Sequence, residues 1–203
     1  MTRTRKELNY FKIEGADGGS QDWFRDPMMN LGGCAAATAC DSSLFLAFHY
    51  GMTGLYPFDP DHLTKEDYIR FASIMKPYLK PRWGGIDMTE TYIEGFGKYL
   101  RNLGEKRLRM EGFDGNRPVS HAERAIRKQI DKGLVVPCLI LRHKNPKYED
   151  YVWHWFLLTG YDDSDGDFLV RTATYGAFRW ESLAGLWNTG CPRKGGLVLY
   201  RLS

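Results

Sequence analysis

The apolar positions of the chain change rhythm near residue 134, and that change divides the molecule in two. Over residues 35 to about 50, Ala36, Ala39, Cys40, Leu44, Ala47 and Phe48 recur every three to four positions, the spacing of one helix face, and Gly51 ends the run. The first turns are nearly all alanine, so this helix can lie tightly against a neighbour. Gly32 and Gly33 ahead of it permit a backbone path that bulky residues resist. Three more helices are predicted before residue 134. Thr64 caps one running to about Met75, with Glu66 and Asp67 in its first turn and Pro77 beyond its end. Thr89 caps another that reaches Leu103 and stops at Gly104. Ser120, with Glu123 three residues on, forms a capping box for a fourth that ends at Gly133. Residues 1–33 read mostly as loop, with a short strand over 10–13.

After residue 134 the runs shorten and turn β-branched and aromatic. Residues 134–142 (LVVPCLILR), 151–160 (YVWHWFLLTG), 167–172 (DFLVRT), 177–180 and 197–201 read as strands, and 180–187 as a short helical or looped crossing. The turn YDDSDG joins the second strand to the third as a hairpin. Helices first and an antiparallel sheet second is an α+β order, not a chain of βαβ units. The expected architecture is one domain over 1–203, an N-terminal helical part packed on a C-terminal antiparallel sheet, with a helical insertion over about 51–118.

Composition narrows the function classes. A chain of 203 residues, 43% of them hydrophobic and 26% charged, can bury about 70% of its unfolded surface without a disulfide or metal. The longest apolar run, 134–141, contains Pro137 and is far short of the roughly 20 residues that span a bilayer, so no membrane segment is expected. The net charge of +3 is spread evenly along the sequence and calls for no nucleic-acid partner. No apolar segment follows the basic N-terminus, which makes a cytoplasmic location the expectation. Cys34, Cys40, Cys138 and Cys191 form no Cys-x-x-Cys pair and no two histidines have zinc-ligand spacing, so reduced thiols are expected, with no metal and no cofactor. Cys34 and Cys40, six residues apart on a helix, lie about 120° off a common face, a poor arrangement for joint ligation with His154. Nothing in the sequence sets an oligomeric state.

Two residues stand out as chemistry. Cys34 lies between Gly33 and the alanine-rich helix, where unpaired amides and the helix dipole favour a thiolate. His154 lies in Val-Trp-His-Trp-Phe, desolvated enough for its partners to set its protonation. A hairpin centred near Ser164 puts residues near 174 opposite His154, so Thr172 or Thr174, depending on register, stands where an imidazole orienter would.

The order of these features resembles papain-like cysteine peptidases, and most closely the C39-like group. The matching stretches are Gly33-Cys34, Gly133 to Pro137, His154 to Asp162, Val170 to Gly176, and the aromatic crossing from Phe178 to Trp187. The resemblance implies Cys34 as nucleophile and His154 as general base and later acid, with a peptide or small amide as substrate. It implies an upstream glutamine at the oxyanion. Gln21 is of that type, 13 residues before Cys34, with the nearer Asn30 its rival. The family's Asp or Asn orienter falls on Thr172, where Val-Arg-Thr-Ala replaces the usual acid or amide, and the Cys-Gly-Ser-Cys-Trp signature of papain is absent. The function so implied is hydrolysis of an amide bond through an acyl-enzyme at Cys34. The alternatives are a thiol acyltransferase, or an inactive binding module with a groove lined by Trp153, Trp155 or Trp83.

Overall fold

The computed structural model describes residues 4–203. In chain order the strands are β1 (Arg5–Glu7), β2 (Lys12–Ile13), β3 (Ala16–Asp17), β4 (Leu108–Asp114), β5 (Val136–Ile140), β6 (His154–Asp162), β7 (Leu169–Thr174), β8 (Ala177–Ser182) and β9 (Gly196–Leu202). The helices are α1 (Pro27–Gly32), α2 (Cys34–Tyr50), α3 (Lys65–Met75), α4 (Thr89–Asn102), α5 (Val119–Asp131) and α6 (Leu183–Trp187). The main sheet runs β4-β9-β5-β6-β7-β8, and β1 extends it along the far end of β6. Every pairing in it is antiparallel. The result is a mixed α and β fold with helices set against an antiparallel sheet.

α2 is the central helix. From Cys34 to Ala47 nearly every residue is buried, on all sides, because small and apolar side chains occupy the whole circumference and not one stripe. It packs on β6 behind and α3 in front, while α4 covers β4. Its entry depends on Gly33, where a Cβ would come within 2.3 Å of the Met29 carbonyl oxygen.

Several predicted elements move. The loop expected over 1–33 contains α1, which Asp26 caps by accepting from the Met28 and Met29 amides, with Pro27 in its first turn. The insertion over 51–118 is not wholly helical: β4 lies inside it and pairs with β9 along its full length. The expected capping box at Ser120 is not formed. Pro118, with φ preset at −52°, starts α5 without a side-chain cap. Met88, not Thr89, is the cap residue of α4. Residues 146–151 form a 3-10 helix, so the strand expected from 151 begins only at His154. No helix among the described residues is long and apolar enough to cross a membrane.

Candidate active site

Cys34 is the first residue of α2 and only 4% exposed. Its sulfur lies 4.0 Å from the Trp153 carbonyl oxygen, and it makes no hydrogen bond to His154 in this arrangement. Burial pushes the thiol above its ordinary range, while the backbone N–H groups of Trp155, Ala35 and Cys34 itself pull the other way.

His154 opens β6, directly after Trp153, whose φ of +54° is left-handed and turns the chain into the strand. The ring is equally buried, 4% exposed, and its pKa falls from 6.5 to about 4 through desolvation, with the Asp150 carboxylate opposing. Burial thus favours the uncharged form of both the Cys34 thiol and the His154 ring.

The hydroxyl that meets the His154 ring is that of Thr174 and not that of Thr172. A bulge between Leu158 and Gly160 shifts the β6–β7 register, so that Thr172 pairs with Leu158. Its hydroxyl meets Tyr151 Oη at 2.9 Å and donates to the Arg179 carbonyl at 3.2 Å. Thr174, two residues nearer the His154 end, places its Oγ1 2.7 Å from His154 Nε2. With Nε2 carrying the proton and Thr174 accepting, Nδ1 is left as the basic nitrogen. Tyr175 covers that side. Its ring stacks on the imidazole at 4.7 Å with planes 3° apart, and its hydroxyl is 3.5 Å from Nδ1. Tyr175 and Gly176, at φ +51° and +70°, are the two central residues of the β7–β8 turn, a type I′ geometry.

Gln21, in the 3-10 turn Gln21–Trp23, lines one cavity together with Cys34, His154, Asp41 and Thr174. The cavity holds about 20 Å³, room for one water. Gln21 Nε2 donates to the Asn30 carbonyl at 3.1 Å, and its Oε1 is buried with no hydrogen-bond partner among the described residues. Asn30 faces away from the cavity and bonds the Gln21 and Asp22 carbonyls at 3.5 and 3.4 Å, bracing the loop from outside. The wide spacing from Gln21 to Cys34 is taken up by α1, which folds the loop back.

Asp41, two turns along α2 from Cys34, is the residue that motif reading passes over. Buried in the middle of an apolar helix, it accepts from Tyr10 Oη at 2.9 Å, Tyr68 Oη at 2.8 Å and the Gly19 amide at 3.2 Å. Burial lifts its carboxyl to about 6 against the pull of those bonds. Gly19 has no room for a side chain, since a Cβ would stand 1.9 Å from Tyr68 Cζ. The Gly19 carbonyl in turn accepts from the Gly176 amide at 3.1 Å. The loop that delivers Gln21 is thus tied both to the helix of Cys34 and to the turn of Tyr175. The signal for Asp41 was available in the sequence: a lone carboxylate seven residues after Cys34 on an otherwise apolar helix.

The remaining candidates separate clearly. Trp155 is core, stacked on Tyr92 at 4.6 Å, whereas Trp153 is half-buried and Trp83 is 82% exposed. Cys40 and Cys138 are buried, and Cys191 lies in a loop, partly exposed. Among the described residues no three His, Cys, Asp or Glu side chains cluster closely enough to hold a metal ion.

No family model matches the sequence, and no curated protein matches it. Among solved structures, UfSP from C. elegans aligns over 100% of this chain with a TM-score of 0.45 and 14% identity. The chain spans 35% of that protein's length.

Proposed function

We propose that the protein is a cysteine-dependent hydrolase of papain-like layout, nearest the C39-like group in its order of motifs, that cleaves a peptide or other amide bond. The observation that carries this reading is the shared cavity: a cysteine at the start of the central helix, a histidine at the start of a strand, and an upstream glutamine line one space. Cys34 Sγ attacks the carbonyl carbon while its proton passes to His154 Nδ1, and the carbonyl electron pair moves onto oxygen. The Cys34 amide and Gln21 Nε2 donate to that oxyanion. Collapse breaks the C–N bond, His154 returns the proton to the leaving amine, and water, deprotonated by the same nitrogen, releases the acid and restores the thiol. Thr174 keeps the proton on Nε2, the part an acid or amide orienter plays elsewhere. With an amine in place of water, the same acyl-enzyme makes an acyltransferase. A reduced compartment such as the cytoplasm suits a free nucleophilic thiol.

A second reading, a binding module without turnover, draws on one observation: the cavity is water-sized and Tyr175 lies over the ring. Cleavage of a mixed peptide pool, read by mass spectrometry beside iodoacetamide alkylation of Cys34, separates the two. The hydrolase reading expects cleavage that Cys34→Ala abolishes and His154→Ala lowers by roughly 10² or more. No cleavage, with alkylation at the rate of an ordinary thiol and indifferent to His154→Ala, rejects it in favour of the binding module.

A further inference from the structure

Beside Trp153 a second, larger cleft opens, about 310 Å³, lined by Leu141, Arg142, Trp153, Cys191, Pro192 and Arg193. Trp153 lines this cleft with its side chain and reaches the Cys34 site through its backbone. Its carbonyl meets the Cys34 sulfur at 4.0 Å, and its ring lies under the Arg142 guanidinium, 5.8 Å from Cζ to centroid. The backbone there is held in a costly shape. A tryptophan at φ +54° is an uncommon left-handed residue, fixed by its amide donating to Leu141 O at 2.7 Å. That one conformation sets the carbonyl against the thiol and the indole beside the cleft.

The two arginines differ in what they have left to give. Arg193 Nη2 bonds Asp87 Oδ2 at 2.6 Å and the Asp87 carbonyl at 3.3 Å, so its charge is matched. Arg142 has no carboxylate partner among the described residues and only stacks on Trp153. Stacking uses the face of a guanidinium and leaves its in-plane N–H donors open, in the fork geometry that fits a carboxylate. Leu141, Trp153 and Pro192 supply apolar surface for the methylenes that carry such a group.

The geometry points to this cleft as a subsite for an acidic side chain, aspartate or glutamate, of a peptide laid across Cys34, with Arg142 as the residue that reads it. The inference rests on the proposed function only in taking Cys34 as the centre past which the peptide runs. A polyanion fits less well. The adjoining cleft is lined by Asp87, Glu90 and Asp114 beside Arg193 and Lys194, and a phosphate backbone continuing from Arg142 would meet those carboxylates.

The test uses the full chain carrying Cys34→Ala, which binds without turnover. Fluorescein-labelled Gly-Phe-Glu-Glu-Phe-Gly and its Gln-Gln counterpart are titrated by fluorescence polarisation at low and high salt. The acidic peptide is expected to bind about fivefold tighter, as for one partly exposed charge-assisted contact. That preference should shrink with salt and vanish in Arg142→Glu, a surface change whose folding is checked by the melting temperature. Equal affinities, a preference that survives Arg142→Glu, or tighter binding of oligo-dT than of the acidic peptide would overturn it. Cleavage of the mixed peptide pool by the unaltered chain keeps the two ideas apart. Acidic preference without cleavage sinks the hydrolase and leaves the subsite, and cleavage without the preference does the reverse.

Discussion

Asp41→Asn should make the fold more sensitive to acid, and the size of the effect follows from two buried groups of opposite sign. His154 has a folded pKa of about 4 against 6.5 when unfolded. Its contribution is complete above pH 6.5 and is lost as pH falls through 4, because the unfolded chain takes up the proton first. The 2.5-unit gap corresponds to about 3 kcal/mol. Asp41 runs the other way. Its folded pKa of about 6 lies above the ordinary 3.8, so the fold favours the neutral carboxyl. Ionisation costs nothing below pH 3.8 and rises to about 3 kcal/mol above pH 6. Between pH 7 and 4 the two terms largely offset each other in the unaltered protein. Asp41→Asn deletes one of them. Its stability relative to the unaltered protein should fall by about 2 to 3 kcal/mol from pH 7 to pH 4, and that of His154→Gln should rise by a similar amount. Urea unfolding at pH 4, 5, 6 and 7 measures both differences, provided the m-values agree. The carboxylates held low by their partners, Asp26, Asp162, Asp163 and Glu105, enter all three curves and cancel in the difference. Curves for Asp41→Asn and the unaltered protein that stay parallel across the range would refute the reasoning, since Asp41 would then titrate as an ordinary surface acid.

Three further outcomes are expected. Tyr175→Ala uncovers Nδ1 and the cavity, and iodoacetamide should label Cys34 roughly tenfold faster at pH 8; an unchanged rate would mean that access lies elsewhere. Thr174→Val should lower turnover by roughly 10² with little loss of stability, whereas Thr172→Val should leave turnover alone and cost about 1 kcal/mol in denaturant unfolding, through its bonds to Tyr151 and Arg179. Identical kinetics for the two variants would remove Thr174 from the site. Gly19→Ala drives a methyl into Tyr68 and should destabilise the fold by about 1 to 3 kcal/mol, as seen in unfolding midpoints.

The strongest sequence signals were those carried by composition over a whole element. A run of small and apolar residues after Gly-Gly marked a helix able to pack tightly against a neighbour, and α2, which starts at the cysteine itself, is enclosed all round. The hairpin between 162 and 169 was equally plain from its run of Asp, Ser and Gly. What escaped reading depended on partners distant in the chain. β4, with an ordinary mixture of charged and apolar residues, becomes a strand only because β9, some ninety residues later, offers it an edge. Which threonine reaches His154 depends on the full β6–β7 register and its one-residue bulge, which no local propensity announces. The 3-10 turn ahead of His154 overrode a β-like pattern because Pro146 and the Asn145 cap set the chain turning first. The charge count, read along the chain, showed nothing, since Arg142 is left unmatched only where folding commits Arg193 to Asp87.

The placement of the candidate machinery also decides how it would come apart. Cys34 rides on the most enclosed helix of the molecule, whose amides should exchange with solvent only when the whole domain opens. Tyr175 stands at the tip of a two-residue hairpin turn, 38% exposed, where opening needs no more than a local excursion. Cys34 and its cover therefore belong to opposite ends of the hydrogen-exchange scale. Access to the thiol can fluctuate thousands of times without the reacting geometry being disturbed, and on heating, the thiol should stay in register until the core itself melts.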